Sequence, residues 1–72
     1  MRVECYSGYR GAERPVAFWL EDRRLAVSEV EDRWYGPDGS WFRVQADDGG
    51  RYVLRHTEHE DSWSIEAHRG RR

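Results

Sequence analysis

The sequence predicts an all-β domain: an antiparallel meander of five to six strands, strongly curved and curling into a small SH3-like or related barrel. Three observations lead there. Apolar and polar residues alternate over short runs while helical periodicity is poor, and the runs are bounded by Gly, Asp and Pro turn signals. Ten aromatics, four Trp, four Tyr and two Phe, recur at regular spacing in a chain of only 72 residues. A chain of that length forms one domain, 1–72, near the size at which a single core supplies little net stability. Large aromatic side chains make the core feasible, and they outweigh a mean hydropathy of -1.05 and a 36% charged content that would otherwise favour disorder.

The expected strands are residues 2–6, 14–21, 24–35, 41–46, 51–57 and 62–67, with HRGRR at 68–72 a frayed tail. Val16, Phe18 and Leu20 face Leu25 and Val27 across a tight turn at Asp22 and Arg23. Between Val27 and Val30 the apolar phase of the third strand changes, which requires a bulge near Ser28 and Glu29 and lets the two halves of that strand serve two sheets. In YGPDGSW a three-residue loop of Pro37, Asp38 and Gly39, with Gly39 at positive φ, pairs Trp34 with Phe42 and Val30 with Ala46. The same loop type built from Asp47, Asp48 and Gly49 pairs Val44 with Tyr52 and Phe42 with Leu54. A two-residue turn at Asp48 and Gly49 would set Phe42 beside Arg55, and a one-residue slip reverses every side chain, so the apolar pattern favours the longer loop. A four-residue loop at 58–61 puts Leu54 opposite Ile65 and His56 opposite Trp63. One face then collects the core: Val16, Phe18, Leu20, Leu25, Val27, Val30, Trp34, Phe42, Val44, Tyr52, Leu54, Trp63 and Ile65.

The opposite face is the candidate surface. Its expected rows are Tyr35, Trp41 and Arg55; Arg33, Arg43 and Val53; and Glu31, Gln45 and Arg51, with Glu66 and His68 flanking. Binding candidates are therefore Arg33, Tyr35, Trp41, Arg43, Arg51 and Arg55. Arginine and aromatic groups on a curved small sheet can stack bases and hold phosphates. They can equally be structural, with arginine stems covering Trp41 and Tyr35 through cation–π contacts. Net charge is -2, with acids interleaved among the arginines, so no global field draws the chain to nucleic acid or membrane. All twelve basic residues are Arg and the chain has no Lys or Asn, which points to the coding bias of a GC-rich genome before selection for stacking cations.

Asp32 is expected on the core face beside Val44, as a buried acid paired with Arg14 or a Tyr hydroxyl; the competing role is an active-site acid of raised pKa. The chain carries no second carboxylate or nucleophile that can be placed with it. His56, His59, His68 and Cys5 show no zinc spacing, so neither a metal nor another cofactor is expected. His56 is read as stacked on Trp63, Cys5 as an inert core filler, and the acidic run at 58–61 as a solvated turn. The glycines form no phosphate loop, and the chain is read as a non-enzyme. A single cysteine, no signal-peptide pattern and no membrane-length apolar window give an expectation of a cytoplasmic protein.

RPVAF at 14–18, VSEVEDRWY at 27–35, WFRVQADDGGRYVLRH at 41–56 and Trp63 together resemble an uncharacterised bacterial small all-β domain family, associated with the ends of Y-family DNA polymerase relatives. The likeness spans about residues 14–65 and lies mostly in core and turn positions. It implies a bacterial intracellular β domain with a link to DNA repair and no catalytic residue to carry over. The functional expectation is a non-catalytic binding or protein-interaction module, with a protein partner or a second copy of the chain as ligand; the alternative is single-stranded nucleic acid on the arginine and aromatic face.

Overall fold

The computed structural model of the chain describes residues 2–7 and 13–69. Six antiparallel strands follow one another as neighbours in a single sheet: β1 (Val3–Ser7), β2 (Glu13–Leu20), β3 (Arg23–Gly36), β4 (Gly39–Ala46), β5 (Arg51–Thr57) and β6 (Ser62–Arg69). The sheet curls into a half-barrel, the all-β meander expected of alternating short runs. Strand β6 runs past the expected frayed end, with His68 opposite Tyr52 and Arg69 opposite Arg51; residues 70–72 lie outside the described residues.

The curl originates in β3. Its first residues pair with β2 through Arg23 to Ala26, and the rest pairs with β4 from Val27 to Gly36. The register slips between Val27 and Glu29, where the phase change required a bulge, and again between Val30 and Asp32, where none was expected. Each extra residue locally increases the right-handed twist, so one strand bends far enough to back two halves of a core. The β2–β3 turn is formed by Glu21 and Asp22, one residue earlier than expected, with Leu20 opposite Arg23 and Glu21 at φ 56. The sum of paired residue numbers changes by two, an even shift, so Phe18 and Leu25 still share the inner face.

Two hairpins have the expected registers. Val44 faces Tyr52 and Phe42 faces Leu54 across the loop of Asp47, Asp48 and Gly49, where Gly49 takes φ 85 and its N–H donates to the Ala46 carbonyl at 3.0 Å. The Asp48 carboxylate holds this loop to the core: it accepts from the Gly50 N–H at 2.8 Å and from the Tyr52 hydroxyl at 2.7 Å. In the last hairpin Leu54 faces Ile65, His56 faces Trp63, and Thr57 to Ser62 closes a four-residue loop.

The β3–β4 hairpin departs from expectation. Gly36 pairs with Gly39 around a two-residue turn of Pro37 and Asp38, so Trp34 faces Trp41 and Arg33 faces Phe42. Gly39 does not take the positive φ expected of it; it is buried opposite Thr57, where a Cβ would overlap the His56 carbonyl. Glycine is needed here for close approach of backbones, not for a left-handed turn. The shorter turn reverses the faces of residues 32–36, and the second bulge at Glu31 reverses the phase back, so that Val30 keeps the inner face but sits opposite Val44 instead of the expected Ala46.

The core is Phe18, Leu25, Phe42, Val44, Ala46, Tyr52 and Leu54, with Val3, Leu20, Val27, Val30, Trp63 and Ile65 packed around it. Phe18 meets Tyr52 edge-on at 5.0 Å, and Trp63 lies between Phe42 at 5.6 Å and His56 at 4.7 Å. His56 Nε2 is also 3.0 Å from Asp61 Oδ1. Val16, expected in the core, lies outside this cluster, because the β1–β2 register slips between Glu4 and Cys5 and leaves it without a partner while Pro15 beside it is fully buried. Two further residues expected on the core face are displaced by the reversal. Trp34 is 40% exposed on the outer face, and Asp32, expected as a buried acid, has a side chain 53% exposed, 3.7 Å from Arg43.

Replacing Gly39 with Ala should cost about 2 kcal/mol or more in urea unfolding, because the fixed backbone of β5 blocks the new methyl group; a variant as stable as the parent would refute the close approach. The hydrogen bonds from Tyr52 and Gly50 hold the Asp48 carboxyl below the usual carboxylate range. Its stabilisation is therefore present above the unfolded-state pKa and is lost as pH falls through the lower folded value. Unfolding midpoints of Asp48→Asn should depend less on pH below about pH 4 than those of the parent. At the other extreme, burial and the Asp48 bond push the Tyr52 hydroxyl up to about 12. Stability should then fall between the ordinary tyrosine value near pH 10 and pH 12, where the unfolded chain releases a proton that the folded one retains.

Candidate functional site

Alternation along β3, β4 and β5 builds the outer face in three rows: Trp34, Trp41 and Arg55; Asp32, Arg43 and Val53; Glu29, Gln45 and Arg51. Every expected β4–β5 pair is present. The β3 member differs, because the two-residue turn replaces Tyr35 by Trp34 and Arg33 by Asp32, and the second bulge replaces Glu31 by Glu29. Sequence reasoning missed Trp34 for this reason alone.

The first row forms an aromatic patch. The Trp34 and Trp41 ring planes are parallel within 1° and their centroids are 6.5 Å apart. On the other side of Trp41, the Arg55 guanidinium carbon sits 5.3 Å from the ring centroid, within cation–π range. Gly36 provides the floor, since a Cβ there would come within 2.6 Å of the Trp41 ring. Arg55 has no carboxylate partner among the described residues, and its Nε is buried without a hydrogen-bond acceptor among them. A buried charged donor left unsatisfied costs free energy.

The other two rows are electrostatically closed. Glu31 is the hub: its half-buried carboxylate, 19% exposed, accepts from Arg51 Nε at 3.2 Å and lies 3.8 Å from Arg43 Nε, while Asp32 approaches Arg43 at 3.7 Å. Glu31, Arg43 and Arg51 line an open groove of about 780 Å³ together with Glu29, Tyr52, Val53 and Ala67. Two carboxylates, Glu29 and Glu31, stand against two guanidiniums there, with Asp32 3.7 Å from Arg43, so the groove carries no net positive charge to attract a phosphate. Among the described residues no three His, Cys, Asp or Glu side chains converge on a point that could hold a metal ion.

Arg33 and Tyr35 do not join this surface. Arg33 lies across from Phe42 with its guanidinium carbon 5.1 Å from that ring and 5.9 Å from the Tyr35 ring, and Tyr35, 69% exposed, faces Ser40. On the far half of the sheet Trp19 carries the same chemistry: Arg2 sits 4.3 Å and Arg24 5.8 Å from its centroid, and Arg24 is bonded to Glu4 at 2.8 Å. Glu4 and Arg24 reach one another across Ala17, whose small side chain is fully buried. There both arginines cover the sheet, and the charge of Arg24 is matched by Glu4.

A scan against family models, a search of curated proteins and a search of solved structures each return no match to the chain. The resemblance to polymerase-associated β domains therefore rests on its motifs alone.

If Trp34 belongs to the surface and not the core, Trp34→Ala should lower stability by no more than about 1 kcal/mol, against about 2–5 kcal/mol for Leu54→Ala. Comparable losses at both positions would place Trp34 back in the core. Glu31→Gln should change stability by about 1 kcal/mol or less, the range of exposed ion pairs, while raising the affinity of the groove for phosphate or sulfate in NMR titration. Unchanged anion binding would show that Glu31 does not neutralise the two arginines.

Proposed function

We propose that the chain is a non-catalytic protein-interaction module of a bacterial cytoplasm that docks a protein partner on Trp34, Trp41 and Arg55. The observation that carries this reading is the division of the outer-face arginines. Arg43 and Arg51 share Glu31, whereas Arg55 lies on Trp41 with no acid beside it. Interface hot spots are built from Trp, Tyr and Arg in this combination: a flat apolar area at low entropic cost plus a planar cation able to hold a carboxylate or carbonyl. A single-stranded nucleic acid needs several unneutralised cations along a path, and its affinity grows with their number. One guanidinium without an acid among Arg43, Arg51 and Arg55, beside a groove whose two arginines share Glu31, favours the protein partner.

The test is positional photo-crosslinking in the native host. A crosslinking amino acid at Ser64, the β6 neighbour of Arg55, should yield a covalent protein adduct identified by mass spectrometry, and Arg55→Glu should abolish it. The same probe at Asp22, in the β2–β3 turn, should yield none. Equal adducts at both positions would contradict the assigned surface. So would backbone amide shifts at Trp34, Trp41, Arg43 and Arg55 on adding a mixed-sequence single-stranded DNA, if those shifts faded with salt.

A further inference from the structure

The groove beside the tryptophan row holds one acid more than its ion pairs use. Strict alternation would turn Asp32 to the inner face, but the bulge at Glu31 brings Glu31 and Asp32 to the outer face in succession, and both reach Arg43. Glu31 also accepts from Arg51 Nε at 3.2 Å. Three acids of β3 thus face two arginines, and Glu29, exposed on the groove wall, has no partner among the described residues. The arginines in turn are held by one edge. Glu31 lies against the Nε of each, and the terminal nitrogens of Arg51 have no acceptor among the described residues. Arg51 reaches across β4 to a residue of β3, and Glu29 stands two residues along from that contact, with backbones roughly 7 Å apart. An unpaired carboxylate and a half-used guanidinium therefore share one wall. On the other flank Val53 pairs with Ala67 across β5 and β6, and their small side chains leave about 780 Å³ open, room for a small ligand.

We propose that this groove is a binding site for a free α-amino acid with an apolar side chain. The ligand carboxylate takes the terminal N–H groups of Arg51, its ammonium takes Glu29, and its side chain lies over Val53 and Ala67. A planar guanidinium already fixed through its Nε loses little freedom when it binds a carboxylate, so Glu31 preorganises the site. Charge selects the ligand class. Glu29 and Glu31 balance Arg43 and Arg51, so neither a bare anion nor a bare cation gains from a net field, whereas a zwitterion satisfies both unused groups without adding charge. The site begins one row away from Trp34, Trp41 and Arg55, and it stands or falls apart from the docking of a protein there.

L-Leucine and three analogues, each missing one of its groups, test the assignment: 4-methylpentanoate lacks the ammonium, 3-methylbutylamine lacks the carboxylate and glycine lacks the side chain. In NMR titrations of the isotope-labelled full chain, leucine should give saturable shifts at Arg51 Nε and at the Val53 and Ala67 methyl groups, with a dissociation constant on the order of millimolar. Each analogue should bind about tenfold more weakly or worse. Glu29→Gln should lower leucine to the level of 4-methylpentanoate, and Ala67→Leu, which fills the floor, should abolish the leucine shifts. Circular dichroism melts of both variants separate a lost site from a lost fold. The proposal is overturned if leucine produces no saturable shifts. It is equally overturned if any analogue binds as tightly as leucine, since 4-methylpentanoate would then mark a plain anion site and 3-methylbutylamine a plain cation site, or if either folded variant binds leucine as the parent does.

Discussion

Strand β3 is the constraint on which the rest depends. It is long enough, at 14 residues, to pair with β2 at one end and β4 at the other, and both halves must turn their apolar side chains toward one interior. Strict alternation cannot satisfy that over a strongly curled sheet. Two extra residues, around Ser28 and at Glu31, reset the phase, and each reset is also a bend. The core and the outer face are thus set by one count of residues between two turns. Inserting or removing a single residue in β3 would exchange Trp34 with Arg33 across the sheet.

The outer face shows why a count of arginines says little about function. Placement decides. Three of the outer-face guanidiniums, those of Arg24, Arg43 and Arg51, reach a carboxylate on a neighbouring strand, and Arg2 and Arg24 also lie over Trp19. Their stems cover aromatic and small side chains, and the charges of Arg24, Arg43 and Arg51 are balanced nearby, the ordinary solution for the wet side of a small sheet. On β4 and β5, Arg55 departs from it. It shares the aromatic contact but not the carboxylate, and one of its donors is buried. The exception, not the row, carries the functional reading.

Much of this was legible in the sequence. The loop of Asp47, Asp48 and Gly49 and the four-residue loop at 58–61 each allowed one register that kept charge off the apolar face, so β4, β5 and β6 were readable from local turn chemistry. The first bulge was readable because it moved Val30 out of phase with Val27. The β3–β4 turn was not. Pro, Asp and Gly in that order suit a three-residue loop with Gly39 at positive φ as well as a two-residue turn with Gly39 in the strand. The contact that decides between them, the Gly39 backbone against His56 and Thr57, belongs to a third strand and leaves no local signal. One ambiguity produced two misplacements, Trp34 assigned to the core and Asp32 read as a buried acid; a third, Val16 assigned to the core, came from the slip between β1 and β2.

The pairing of β3 with β4 is accordingly the point to measure. Long-range backbone NOEs in isotope-labelled protein report it directly. The account predicts cross-strand contacts joining Trp34 to Trp41, Arg33 to Phe42 and Val30 to Val44. Contacts joining Trp34 to Phe42 and Val30 to Ala46 would instead establish the three-residue turn. Trp34 would then return to the core, and the surface of Trp34, Trp41 and Arg55 would not exist.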